Sequence, residues 1–308
     1  MPIFNVQKTK LIPIREIHIT LERDIQKITE DNLQTVFGLE FVRSEFSLHN
    51  LRIDTLAFDK QAKSFVIIEY KRDKNISVID QGYSYLALLL NNKADFILEY
   101  NEKMNHNLKK VDIDWSQSKI LFLANQFTTY QRSAINFKDL PIELWEVKKF
   151  DNGTMLYNQL KPLEAAESIT TVSKSDTIKD VSKEVKKYTL DDHFKPGWGK
   201  SRELFDVLRE KISGIGNFDE VATKAYIGYQ INRWNIFVII PQKKKLKIEL
   251  NRSQPKDIKD PDKIVLYYEY SIKNWGQHIS YFYLENPEQI DYAIYLIKQV
   301  YEKFLNTK

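Results

Sequence analysis

The chain has 308 residues, 43% of them apolar and 29% charged, with a formal net charge of +4 and no cysteine. That length argues for two domains rather than one, and the apolar share suffices for real cores. The absence of cysteine removes disulfides, thiolate nucleophiles and Cys-based zinc sites, while the mildly basic balance is compatible with nucleic acid without demanding it. The opening MPIFNVQKTKLIPI lacks the basic start, apolar stretch and cleavage site of a signal peptide. The longest apolar run, residues 86–90, is far too short for a membrane span. A cytoplasmic protein without membrane contact is the expectation.

In chain order, residues 16–37 carry Leu21, Ile25, Ile28, Leu33 and Phe37 at helical spacing, which predicts a helix. Thr20 is its expected N-cap and Gly38 its stop. LEFVRSEF, LRIDTLAFD and SFVIIEYKR are rich in β-branched and aromatic residues and predict an antiparallel meander. ISVIDQGYSYLALLLNN predicts a helix, ADFILEY and KILFLANQF two buried strands, and residues 129–136 a short helix. IELWEVKKF and TMLYNQL predict a hairpin around Asn152-Gly153, a dipeptide suited to positive φ.

Residues 163–188 are rich in Ser, Thr, Lys and Asp and are predicted to link two domains, 1–162 and 189–308. Beyond them, residues 200–213 predict a helix. KAYIGYQIN, NIFVIIPQ, KLKIELN, IVLYYEYS and HISYFYLE predict strands, and residues 287–304 a final helix opened by Pro287.

One constellation carries chemistry. Asp54 lies inside one predicted strand and Glu69-Tyr70-Lys71 inside the next. Side chains alternate along a strand, so Glu69 and Lys71 share a face and Tyr70 takes the other. A hairpin that puts Asp54 opposite Glu69 gathers two carboxylates, an arrangement costly to desolvate and mutually repelling. Mg²⁺ or Mn²⁺, a hard cation that takes carboxylate oxygens and keeps waters, would resolve that conflict and activate water against a phosphodiester. The alternative is an ordinary cross-strand ion pair on a solvated face. One helix later, Gln81 and Tyr85 stand at i and i+4 on one face. They would either reach the site's edge, where Tyr85 would bind substrate, or divide between solvent and core. No P-loop, GxGxxG, GxSxG, HxH or HExxH competes. Asp191-Asp192-His193 is expected to cap a helix.

The string IDT…VIIEYKR…VIDQGYSYL resembles the PD-(D/E)XK nuclease superfamily, with the QxxxY element of its RecB-type members. It is closer to the NucS-like nucleases of the DUF91 neighbourhood than to restriction enzymes. The resemblance implies a restriction-endonuclease-like α+β core, a mixed sheet flanked by helices. It implies Asp54 and Glu69 as metal ligands, Lys71 and Gln81 as catalytic partners, and a further carboxylate from Glu30, Glu22 or Glu45. The residue before Asp54 is Ile53 rather than the motif's proline.

Residues 188–304 resemble DUF5655, a small α+β domain. Within it Lys243, Lys244 and the aromatics Tyr226, Tyr229, Trp234 and Phe237 are candidates for a nucleic-acid face, or else core aromatics beside a solvated lysine turn. The expectation is a metal-dependent endonuclease hydrolysing DNA phosphodiester bonds in defence or repair, with RNA left open, compatible with a homodimer because cutting both strands takes two sites. The alternative is a non-cleaving nucleic-acid binder, or a ligand-sensing interaction protein, on a nuclease fold.

Overall fold

The computed structural model describes residues 2–17, 19, 22–71, 77–137, 139–163 and 167–306, with the side chains of Glu22 and Asn274 left aside. The chain forms two compact units, residues 1–187 and 188–308. Both are mixtures of helix and sheet.

The first unit opens with a hairpin, β1 (Ile3–Gln7) and β2 (Lys10–Ile14), then β3 (Glu16–Ile17). Two short helices follow, α1 (Glu22–Asp31) and α2 (Leu33–Phe37), so the single helix expected over residues 16–37 is divided. Gly38 ends α2 in the left-handed conformation at φ 65°, where a residue without Cβ pays no steric cost. Thr20, the expected cap, lies outside the described residues.

The meander follows as β4 (Glu40–Leu48), β5 (Leu51–Asp59) and β6 (Ser64–Lys71), each antiparallel to the next. Then come α3 (Val78–Asn91), α4 (Lys93–Met104), β7 (Lys119–Ala124), α5 (Thr129–Ala134), β8 (Ile142–Phe150) and β9 (Met155–Leu160). Strands β6, β7 and β8 run parallel, and β9 returns antiparallel on β8. The result is a mixed sheet of order β3-β8-β7-β6-β5-β4. The β8–β9 turn places Gly153 at φ 83°, as the Asn-Gly pair suggested.

Residues 94–100, expected as a buried strand, lie instead within α4. Phe96, Glu99 and Tyr100 are buried while Leu98 is exposed. A three- to four-residue repeat of burial is the helical period, and the short apolar run ILEY hid it. Buried Glu99 is held by Arg43 on β4 at 2.9 Å, and Tyr100 donates to Glu40 at 2.7 Å.

The sheet is buried on both faces. Ile67, Phe65 and Leu56 pack with Tyr83, Leu86 and Leu89 of α3 and Phe96 of α4. Val66, Ile68 and Tyr70 pack on the other face with Ile25 of α1 and Leu33 and Phe37 of α2. The stretch expected as a linker or a partly ordered connection is ordered over much of its described length, residues 167–187. They carry α6 (Ile169–Val172) and α7 (Asp176–Glu184), and Ile169, Ile178, Val181 and Val185 are buried in the α3-side core. Ile178, Val181 and Val185 recur at helical spacing, Ile169 joins them from α6, and together they seal that core.

The second unit runs α8 (Gly199–Ser213), β10 (Asp219–Ala222), β11 (Ile227–Ile231), β12 (Trp234–Pro241), β13 (Leu246–Asn251), β14 (Leu266–Tyr267), α9 (Ser271–Trp275), β15 (Ile279–Leu284) and α10 (Ile290–Asn306). The sheet is antiparallel, ordered β10-β11-β12-β13-β15-β14. Alternate residues Leu246, Ile248, Leu250, Phe282 and Leu284 face Leu204, Phe205 and Leu208 of α8 and Leu296 and Ile297 of α10. The expected strand over residues 264–271 is reduced to two residues before α9 begins. Among the described residues no helix is long and apolar enough to cross a membrane.

Candidate active site

Strand register builds the site. Thr55 pairs with Ile68 across β5 and β6, and Ser44 with Thr55 across β4 and β5. Asp54 stands one residue before Thr55 on β5 and Glu69 one residue after Ile68 on β6, and Glu69 pairs with Phe122 on β7. Opposed residues of a ladder project from the same face. So Asp54 and Glu69 look toward α3, the face of Ile67 and Leu56.

Asp54 accepts a hydrogen bond from the Tyr70 amide at Oδ2, 2.9 Å. Burial still holds its carboxyl above the ordinary value, reinforced by the nearby charge of Glu45. Glu69 is 5% exposed. Its Oε1 accepts from Gln81 Nε2 at 3.1 Å, Lys71 Nζ at 3.2 Å and the Tyr85 hydroxyl at 3.3 Å. Among the described residues its buried Oε2 meets no hydrogen-bond partner, and neither does Gln81 Oε1. Burial, with the Asp54 charge adding to it, pushes the Glu69 carboxyl up to about 7, against the pull of Lys71.

The Lys71 side chain is 9% exposed, and its ammonium stands 5.8 Å from the centre of the Phe122 ring. Tyr85 is 5% exposed, and its hydroxyl also approaches Arg52 O at 2.9 Å. Its phenol is pushed up to about 12 by burial and by the Glu69 charge. Helix α3 aims Gln81 and Tyr85 here because Ser77 caps it, accepting from the Asp80 amide at 3.2 Å. Two residues that could have divided between solvent and core both meet Glu69.

Five residues singled out in the sequence thus converge: Asp54, Glu69, Lys71, Gln81 and Tyr85. The third carboxylate does not join them. Glu30 accepts from Thr55 Oγ1 at 2.5 Å. Thr55 approaches the Tyr70 hydroxyl, so Glu30 is engaged on the α1 side of the sheet, across from Glu69. Glu45 is exposed, at φ 53°, and its Oε2 pairs with Arg52 Nε at 2.8 Å. Among the described residues no group of three or more His, Asp or Glu side chains is placed to hold a metal ion. The Glu22 side chain lies outside the described residues.

Gln26 was not anticipated. Its Nε2 lies 3.0 Å from Glu30 Oε1, 3.1 Å from Ser44 Oγ, 3.1 Å from Asp54 O and 3.4 Å from Glu45 Oε1. It ties α1 to the strand that carries Asp54. Its position one helical turn before Glu30 was the available signal.

In the second unit, Lys243 and Lys244 are exposed in the turn between β12 and β13. Tyr229 and Phe237, considered for a nucleic-acid face, are instead buried and stacked on each other at 4.6 Å. Alternation turned both toward the core under the helices. Asp192 caps a short turn by accepting from the Thr189 amide at 2.8 Å.

Residues 190–303 match the family described as domain of unknown function DUF5655. A protein of Haemophilus influenzae, described as uncharacterized, is 42% identical over 304 residues, which is 97% of this chain and 99% of that one. The chain belongs to the same family as that protein. The Haemophilus relative therefore shares both units rather than the DUF5655 domain alone. Among solved structures, a repair endonuclease from Pyrococcus abyssi aligns over 43% of this chain and 49% of its own, at 14% identity and a TM-score of 0.25. A likeness that slight carries no weight for fold or chemistry, and the site rests on its own geometry.

Proposed function

We propose that the first unit is a divalent-metal-dependent nuclease of PD-(D/E)XK type, acting on the phosphodiester bonds of DNA. One observation carries the reading. Glu69 keeps an unpartnered, buried oxygen opposite a second carboxylate, while every donor near it crowds onto Oε1. A buried carboxylate oxygen without a partner is expensive, and a cation between Asp54 and Glu69 would relieve it.

The donor set fits Mg²⁺ or Mn²⁺. Hard cations of this size take one or two carboxylates and keep several waters, so a two-carboxylate site needs no third protein ligand. When bound, such an ion supplies a nucleophile at neutral pH and charge stabilisation at the phosphoryl group. The chain does the rest. Asp54 is oriented by the Tyr70 amide. Lys71 sits in a nearly dry pocket against Phe122, where its charge acts at short range on a phosphate. Gln81 and Tyr85 fix the rotamer of Glu69, and the unpaired Gln81 Oε1 can accept a hydrogen bond from a water or substrate hydroxyl. Glu30 and Glu45, engaged by Thr55 and Arg52, are the reserve carboxylates.

That engagement also supports a second reading, a binder that grips nucleic acid without cutting it. A plasmid-nicking assay with Mg²⁺ or Mn²⁺ separates the two, run beside Asp54→Ala and Lys71→Ala. Metal-dependent cleavage that EDTA and both substitutions abolish supports the nuclease. Salt-sensitive binding with no cleavage in the unaltered chain would leave the binder.

A further inference from the structure

Arg252 follows β13 in the second unit, in a conformation that an L-residue rarely adopts, with φ 54°. It is half-buried. A guanidinium carries five N–H donors. Among the described residues, Arg252 makes one hydrogen bond, from Nη1 to the Asn235 main-chain oxygen at 3.0 Å. That oxygen also accepts from Asn251 Nδ2 at 3.1 Å, so it has no capacity left for the remaining donors. The guanidinium lies 4.5 Å over the Trp234 ring and 5.8 Å from the Phe304 ring on α10. It forms no ion pair among the described residues. Burial pushes it below the ordinary arginine value, and among the described residues no carboxylate opposes that effect.

Elsewhere in this unit, Arg202 and Arg209 are paired with carboxylates. Arg209 meets Glu220 at 2.8 Å, and Arg202 meets Asp206 at 3.0 Å. A half-buried guanidinium over one aromatic ring and near a second, with one hydrogen bond among the described residues, is a costly object unless an anion completes it. Its planar fork matches the oxygens of a phosphate, and a phosphate offers more acceptors to the free donors than a carboxylate does.

We propose that Arg252, walled by Trp234 and Phe304, is a phosphate-binding site of the DUF5655 domain. It is independent of the carboxylate site in the first unit. The phosphate is either free, as on a mononucleotide, or part of a nucleic-acid strand. Trp234 orients the guanidinium by holding its face, while the edge of the fork meets the ligand.

The test uses the full chain in EDTA, so that no metal-dependent event contributes. Thermal unfolding is followed in sodium phosphate and in sodium chloride at matched ionic strength, for the unaltered chain, Arg252→Met and Arg252→Lys. Phosphate should raise the midpoint of the unaltered chain above the chloride value. Arg252→Met should lose that rise while unfolding in chloride at the same midpoint or higher, since it removes an uncompensated charge. Arg252→Lys should retain part of it. Titration with a mononucleotide and with a short single strand then identifies the phosphate's source, and the affinity of whichever binds should fall about tenfold or more in Arg252→Met. Equal midpoints in phosphate and chloride for the unaltered chain would overturn the proposal, as would a phosphate response that survives Arg252→Met. A cleavage-dead but phosphate-responsive chain would sink the nuclease reading and leave this one standing.

Discussion

Lys71 donates to one oxygen of Glu69 at 3.2 Å, while the other oxygen of the same carboxylate is buried with no partner. The pair is therefore half-made. A finished ion pair would leave no reason for a third charge, and an absent lysine would leave Glu69 too costly to bury ionised. On the proposed reading, this intermediate condition predicts a response to pH, to metal and to substitution at each neighbour.

The first consequence concerns pH. The Glu69 carboxyl is raised from 4.5 to about 7 in the folded chain. Below pH 4.5 both folded and unfolded forms carry the proton, and the residue costs nothing. Between 4.5 and 7 the unfolded chain ionises while the folded one still holds its proton, so stability falls as pH rises. Above 7 the loss is constant, on the order of 3 kcal/mol at about 1.4 kcal/mol per unit. Urea unfolding of the metal-free protein at pH 5 and pH 8 should show this decline, and Glu69→Gln should flatten it. Parallel pH profiles for the two proteins would remove Glu69 as the source.

Metal should reverse that decline. Binding to the folded state alone adds stability by mass action, about 2.7 kcal/mol at a hundredfold excess over Kd. The rise in midpoint with Mg²⁺ or Mn²⁺ should be larger at pH 8 than at pH 5, because the ion competes with the Glu69 proton. Asp54→Asn should abolish it. A metal-induced rise of equal size in Asp54→Asn would place the ion elsewhere.

Lys71→Met tests the ammonium separately from folding. Cleavage should fall by about a hundredfold or more, in line with loss of a preorganised charge at the reacting phosphate. Binding of the strand in calcium should change far less. If kcat is unaltered and only binding weakens, Lys71 acts as a contact and not in the chemistry.

Tyr85→Phe removes a hydroxyl that meets both Arg52 O and Glu69 Oε1. The expected cost is about 1 kcal/mol of stability from the carbonyl left without its donor. Cleavage should fall less than in Lys71→Met, because Gln81 still holds Glu69. Denaturant midpoints and initial rates on one substrate check both halves.

The stretch from 163 to 187 should behave as part of the first unit. Ile178→Ala and Val181→Ala remove buried groups from its core and should cost roughly 1–4 kcal/mol each. Unfolding monitored by circular dichroism measures this. Substitution without effect at both positions would return the segment to the role of a linker.

Much of the site was legible in the sequence because its signals are local. Alternation along β6 places Glu69 and Lys71 on one face whatever surrounds the strand. The i, i+4 spacing does the same for Gln81 and Tyr85 on α3. The mixed α+β character followed from the same two periods. Short apolar runs are less decisive: Phe96-Ile97-Leu98 suits a buried strand or a helical turn equally, and only the burial period of α4 separates the two.

Tertiary structure alone decided the remainder. Which oxygen of Glu69 is satisfied depends on the approach of α3 to β6. Glu30 matches the place of a further ligand best in one dimension, with Glu45 a second candidate, yet the packing of α1 turns Glu30 to Thr55, and Arg52 pairs with Glu45. Gln26 gains its role only when α1 lies against β4 and β5. The covering of one core by residues 169–185, and the placing of Arg252 between Trp234 and Phe304, join parts of the chain many residues apart. The sequence by itself determined which side chains share a strand or helix face, because neighbouring bonds set that geometry. Which faces meet, and what each polar atom is left without, is set by long-range packing that no local period encodes.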